Sequence, residues 1–112
     1  MAALPIIRVP IASGIILEDI DTAAAALGDT APTGPGRFLY VANGDASSHT
    51  VTITTPGTVS GLAIPDVAVV IAAGKSAVIP LAGVFRGPNG RANVSYDAVT
   101  SVTVAALEVE HG

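Results

Sequence analysis

Glycine and proline interrupt this chain so often that, up to residue 90, no run between them exceeds 13 residues, and the one longer run, 91–111, has the composition of strands. Twelve Gly and eight Pro are scattered through 112 residues, and isolated helices shorter than about 12–15 residues are marginal in water. From Arg37 onward, the runs between the breaks have the alternation and composition of β-strands. Residues 38–42 are strand-like, and Asn43-Gly44-Asp45-Ala46-Ser47-Ser48 is a polar turn. Thr50-Val51-Thr52-Ile53-Thr54 alternates strictly, with Val51 and Ile53 on one face, so these two strands read as a hairpin. Thr55-Pro56-Gly57 closes the second strand, because proline cannot donate to a ladder and glycine permits positive φ. Residues 67–71 form an apolar strand, which Ala72-Ala73-Gly74-Lys75 turns into 76–81, where Pro80 marks an edge or an early end. Gly87-Pro88-Asn89-Gly90 is a strong turn, residues 93–97 alternate with Val94 and Tyr96 inward, and the last strand spans 102–109. Six or seven short strands at regular spacing, with no amphipathic helix among them, predict an all-β fold: a small β-sandwich or barrel.

The first 36 residues have a different texture. Pro5, Pro10, Gly14, Gly28, Pro32, Gly34, Pro35 and Gly36 break up any long element. Residues 21–28 fit one short helix, capped by Asp21 or Thr22 and ended by Gly28. Yet Leu4, Ile6, Ile7, Val9, Ile11, Ile15, Ile16, Leu17 and Ile20 all want burial. A proline-broken apolar segment of this kind is expected to be an extended N-terminal arm (1–36), lying across its own domain or across a neighbouring subunit. Residues 37–112 are then the β-sandwich domain.

Half of the residues are apolar but only 4% are aromatic, so the core is expected to consist of Val, Ile, Leu and Ala. Charged residues make up 12%, about half the usual ~25%. Disordered chains show the opposite balance, so this one should fold. Its surface must then be largely Ala, Thr, Ser and Gly, which suits a subunit packed against others better than a free monomer. The stretches around Phe38, Val67, Val78 and Val102 are apolar on both faces. A sandwich sheet needs only one such face for its own core, so the surplus points to a covered outer face.

The net charge is −4 and the four arginines (Arg8, Arg37, Arg86, Arg91) are scattered, which argues against nucleic-acid binding. Residues 9–17 fail as a secretion signal, because Pro10 and Gly14 interrupt them and Glu18, Asp19 and Asp21 follow at once. The longest apolar run, 67–73, is too short to span a bilayer. An intracellular product with no membrane partner is therefore expected. There is no cysteine, hence no disulfide.

Catalytic chemistry finds little to work with. Gly74-Lys75-Ser76 ends like a phosphate-binding loop, but Val69 stands where the motif needs glycine and the segment joins two strands. His49 begins a strand beside a polar turn, and His111 lies next to the C-terminus. Glu108, Glu110 and His111 form a set of metal-ligand types, but on a frayed end where solvation is the simpler reading. Without cysteine, and with so few histidines, a nucleophilic triad has no partners. Asp45, Asp66 and Asp97 sit at turns or strand ends, where Asp serves local hydrogen bonding. Glu18, Asp19 and Asp21 lack the loop spacing of a calcium site. Asn93-Val94-Ser95 is a glycosylation triplet without a secretion signal to give it meaning. No enzyme activity and no cofactor are expected.

One ordered set of segments carries further information. It runs Gly28-Asp29-Thr30, then Gly36-Arg37-Phe38-Leu39-Tyr40-Val41-Ala42-Asn43-Gly44, then Thr50-Val51-Thr52-Ile53-Thr54-Thr55-Pro56-Gly57-Thr58-Val59-Ser60-Gly61-Leu62. Ala72-Ala73-Gly74 and Val102-Thr103-Val104-Ala105-Ala106-Leu107 follow. In this order, over residues 20–109, the chain resembles small virion proteins of tailed bacteriophages that infect actinobacteria, encoded among the head genes. The resemblance implies a virion structural role and no catalytic residues. Capsid decoration (cement) comes first: binding to the outer surface of the major capsid protein lattice, after synthesis in the host cytoplasm. It also implies a homo-oligomer, often a trimer at three-fold positions. A cement protein buries apolar surface at capsid seams, so Leu4, Ile6, Ile7, Val9, Ile11, Ile15, Ile16, Leu17 and Ile20 are the expected capsid contact. A head–tail connector or tail position is the alternative reading. A carbohydrate- or cell-surface-binding β-module is a second, which Phe38, Tyr40, Phe85 and Tyr96 are few to serve.

Overall fold

Threonine, valine and isoleucine at alternating positions favour extended backbone, because their branched side chains pack well on a pleated surface. The computed structural model, which describes residues 2–109, uses them in this way. Its strands are β1 (Ala2–Ala3), β2 (Ile6–Val9), β3 (Thr22–Ala23), β4 (Asp29–Pro32), β5 (Arg37–Asn43) and β6 (His49–Ile53). They continue as β7 (Thr58–Val59), β8 (Leu62–Ala63), β9 (Val67–Ile71), β10 (Ser76–Pro80), β11 (Arg91–Tyr96) and β12 (Val102–Val109). Two 3₁₀ turns, Leu17–Asp19 and Gly83–Phe85, are the only helical pieces among the described residues.

The fold is an all-β sandwich. Sheet A has the order β1-β4-β11-β6-β9, and sheet B the order β10-β5-β12-β2, with β3 also on β12. β7 and β8 form a small separate ribbon. Pairing is antiparallel except for β1 with β4 and β2 with β12. The strand spans expected from residue 37 onward are all present, to within two residues at each end.

The expected hairpin of residues 38–54 does not form. β5 lies in sheet B between β10 and β12, while β6 lies in sheet A between β11 and β9. The long β12 matches β5 along its whole length, from Arg37 opposite Glu108 to Asn43 opposite Val102, a better ladder than the shorter β6 offers. The connections β5 to β6, β9 to β10 and β11 to β12 all cross between sheets, so those strands face each other across the core. Leu39, Val41, Val51, Ile53, Ala92, Val94 and Val104 meet there and are fully buried. Val51, Ile53 and Val94 point inward as their alternation predicts.

A boundary at residue 36 cuts through this sandwich: residues of the expected arm lie across their own domain, one of the two courses expected, and supply strands to both sheets. β4 sits inside sheet A, where Asp29 and Ala31 face Val94 and Ala92. β2 runs parallel to the end of β12, with Ile6 opposite Ala106 and Val9 opposite Val109. Proline breaks limited the strands to short lengths without expelling them from the sheets. The helix expected over 21–28 is absent as well. Thr22 and Ala23 pair with Val104 and Thr103, and the Ala24 amide donates to the Val102 carbonyl. Four alanines offer no apolar stripe for a helix to bury, whereas the upper edge of β12 leaves ladder groups to be filled. Gly28 ends a tight turn to Ala25 instead of a helix.

Candidate functional site

The charged side chains collect at the ends of the sandwich. At one end, the Arg37 Nε donates to Glu108 at 2.9 Å, and Arg8 Nη2 donates to the same carboxylate at 3.3 Å. Hydrogen bonding from Arg37, then Arg8, holds the Glu108 carboxyl below its ordinary range. At the other end three inter-sheet connections meet. The Asn43 side-chain amide donates to the carbonyls of Ile71 and Ser47, and its oxygen accepts from the Asp45 amide. His49 is buried beside it, with Nε2 at 2.9 Å from Asp45 Oδ2 and Nδ1 at 3.2 Å from Asp97 Oδ1.

Both ring nitrogens of His49 therefore face carboxylates, and satisfying both requires two N–H donors, the imidazolium form. The Asp45 hydrogen bond raises the His49 pKa most; burial opposes it and Asp97 adds to it. Asp45 is lowered, first by the hydrogen bond from His49. For Asp97 burial pushes upward, but hydrogen bonds from the Thr50 backbone, His49 and the Ala98 amide outweigh it. With both nitrogens engaged, this histidine is a clamp joining the β5–β6 and β11–β12 connections, not a general base. Sequence reasoning passed over it, because a lone His beside a turn carries no local sign of a partner at Asp97.

A second buried polar group lies inside the sandwich. Asp29 Oδ2 accepts from the Tyr96 hydroxyl at 2.7 Å and from the Ala25 amide at 3.2 Å. Burial first, and then Asp29, push the Tyr96 phenol well above its ordinary pKa. Asp29 Oδ1 has no hydrogen-bond partner. Arg91 reaches the Leu4 carbonyl and both oxygens of Thr30, tying the N-terminal residues to sheet A. An open cleft of about 700 Å³ runs between the Thr33–Arg37 loop and Pro80 to Arg86. Its walls hold no carboxylate, histidine or nucleophile of the kind catalysis needs, and its Arg37 is committed to Glu108 and the Thr33 carbonyl. Among the described residues, no group of metal-ligand side chains has the geometry to hold an ion. Glu110 and His111 lie outside the described residues.

The faces and edges of the sheets are what this molecule offers to others. Register puts Thr50, Thr52, Ala68, Val70, Asn93 and Ser95 on the outer face of sheet A. The outer face of sheet B carries Phe38, Tyr40, Val78, Ala105, Leu107 and Ile7, of which Ala105 and Leu107 are already buried within this molecule and Val78 is exposed. Arg91, folded back onto Leu4 and Thr30, is the one charged side chain on either outer face among the described strands. Of the apolar surplus noted around Phe38, Val67, Val78 and Val102, Val70 and Val78 stand exposed on outer faces, while Val102 belongs to the core.

The nine residues expected to make one contact surface are divided. Leu4 belongs to the core and Ile6 packs against it. Ile7 and Val9 are half-buried beside Leu107 and Val109. Ile15, Leu17 and Ile20 are also half-buried, so the connection from β2 to β3 packs onto the domain. Ile11 and Ile16 alone are exposed, at 61% and 63%. Leu27 is exposed at 81% and was not among the nine; a leucine inside an alanine-rich run read as a helix position. No family model, curated protein or solved structure matches this chain.

Proposed function

We propose that this chain is a virion structural protein of a tailed bacteriophage, a capsid-decoration protein seated on the outer surface of the major capsid protein lattice. The observation that carries the reading is the exposure of Ile11, Ile16 and Leu27 within one stretch, while their neighbours Ile15, Leu17 and Ile20 pack down. Large aliphatic side chains held outward from a packed segment gain free energy only when something covers them. The ordered likeness to phage head proteins supplies the kind of partner. The nearly charge-free outer faces suit a protein that spends its life against other subunits. A lattice offers many equivalent sites, so each contact can be modest.

The test is addition of the purified protein to undecorated phage heads, with bound copies counted by electron cryomicroscopy. Decoration predicts copies on the order of hundreds per head, whereas about six or twelve at one vertex would assign a neck ring. Replacing Ile16→Asp together with Leu27→Asp should abolish occupancy while leaving the circular dichroism spectrum unchanged. Failure of the native protein to bind heads, or full occupancy by the double variant, would overturn the reading.

A further inference from the structure

Among the described residues, no strand pairs with the outer edge of β9 or of β10. β9 is the last strand of sheet A and β10 the first of sheet B, and the turn 72–75 joins them, so both sheets end openly on the same side. Native proteins protect such edges with charges, bulges, or proline. Here β9 pairs with β6 in unbroken register, contains neither proline nor charge, and leaves Val70 exposed at 69%. β10 likewise runs unbroken along β5, with Val78 exposed at 62% and proline only at its last position.

We infer that this side is a two-fold interface with a second copy of the same chain, in which β9 pairs with β9 and β10 with β10, extending both sheets across the dimer. Three observations select a second copy as the occupant. First, β9 is self-complementary. An antiparallel register centred on Val69 sets Val67 against Ile71 and Ala68 against Val70, so every pair is apolar and inner residues meet inner residues. Second, one axis serves both sheets. Val69 and Val78 are each two residues from the ends of the strands that the 72–75 turn joins, so they stand at the same height across the core. A register centred on Val78 then sets Ser76 against Pro80 and Ala77 against Ile79. Third, the charges at the two ends are complementary. Asp66 precedes β9, and Lys75, the only lysine, closes the turn after it, its side chain without a hydrogen-bond or ion-pair partner among the described residues. The two-fold register brings Asp66 of each copy level with the turn that carries its partner's Lys75. Closed two-fold pairing also ends edge growth after one step, as an isologous contact must.

The interface is a property of the purified chain and does not depend on any capsid. Sedimentation equilibrium on the full-length protein should give twice the chain mass. Val78 lies on the axis and is exposed, so Val78→Lys sets two like charges face to face without touching the core. It should raise the dimer dissociation constant by about a hundred-fold. Mixing the Val78→Lys and Val78→Glu chains should restore a dimer containing one of each, which a merely misfolded variant cannot do. The cysteine-free background also allows Val78→Cys to be oxidised to a covalent dimer, while Leu27→Cys, in the connection leading to β4 and away from this side, should form no covalent dimer under the same brief treatment. A monomer at all concentrations, a trimer, a dimer indifferent to Val78→Lys, or no restoration on mixing would each overturn the inference.

Discussion

His49 holds one end of the sandwich through two carboxylates, and it can donate to both only while its ring carries two protons. Because its pKa is raised in the folded state, its contribution is complete below the ordinary histidine value of 6.5. That contribution fades as pH rises through the raised value. Asp45 and Asp97 are lowered from 3.8, so their share is complete above that value and fades as pH falls through the lowered ones; Glu108 adds to this acid limb. Urea midpoints should therefore be highest between pH 4.5 and 6.5 and decline on both sides. His49→Gln should remove the alkaline decline and keep an acid one, since Arg37 and Glu108 are untouched. An alkaline slope that survives the substitution would remove His49 from this role. Gly28 makes a separate residue-scale prediction. Its φ is +95°, and an added Cβ would lie 2.6 Å from the Val94 carbonyl oxygen, which is backbone and cannot move aside cheaply. Gly28→Ala should cost about 1–3 kcal/mol or more in equilibrium unfolding. Gly74, at φ +73° with nothing within 4 Å of an added methyl group, should cost less than Gly28 when changed to Ala.

At the scale of elements, the N-terminal strands test whether residues 1–36 are an appendage or part of the sandwich. Leu4 is 3% exposed in the core, so Leu4→Ala should destabilise by about 2–5 kcal/mol in thermal or urea unfolding. Ile16→Ala should stay within about 0.5 kcal/mol. Equal, small effects at both positions would show that residues 1–36 add nothing to the stability of the sandwich. The sequence made the long strands legible because five or more alternating or β-branched residues leave a period to read, as in β6 and β12. It left β1, β3, β7 and β8 invisible, since a strand of two residues has no period. β2 and β4 were hidden by the prolines that flank or end them. Which strands pair is a different kind of information. Thr50 to Thr54 looks the same whether its neighbour is β5 or β11, and only tertiary packing decides. The same limit applies to the candidate surface. Apolar excess at Val67 and Val78 was readable as composition, but nothing local revealed that both lie on adjoining open edges. Nor did it reveal that Leu4 and Ile6 face inward while Ile16 faces out.

At the scale of the whole molecule, sheet neighbours come from distant parts of the chain. β2 pairs with β12, β1 with β4, β4 with β11, and β5 with β12. β12 lies in the middle of sheet B, flanked by β5 on one side and by β2 and β3 on the other. It is also the last strand among the described residues, so sheet B has no centre until residues 102–109 are in place. Bringing such segments together costs loop-closure entropy before any contact offsets it. Refolding should therefore fall in the millisecond-to-second range typical of β-sandwiches, not in the microseconds of helical bundles. The strand that joins both halves is also the natural place for early structure. Val104, fully buried at the middle of β12, faces Val41 on β5. Val104→Ala should destabilise by about 2 kcal/mol, with much of the loss appearing as slower refolding. Leu4→Ala should act mainly by speeding unfolding, because β2, which follows Leu4, can dock only after β12 is in place. Stopped-flow chevrons for the two variants decide the order. If Val104→Ala leaves the folding limb unchanged while Leu4→Ala slows it, the sandwich assembles from its N-terminal strands instead, and β12 is the last piece to join.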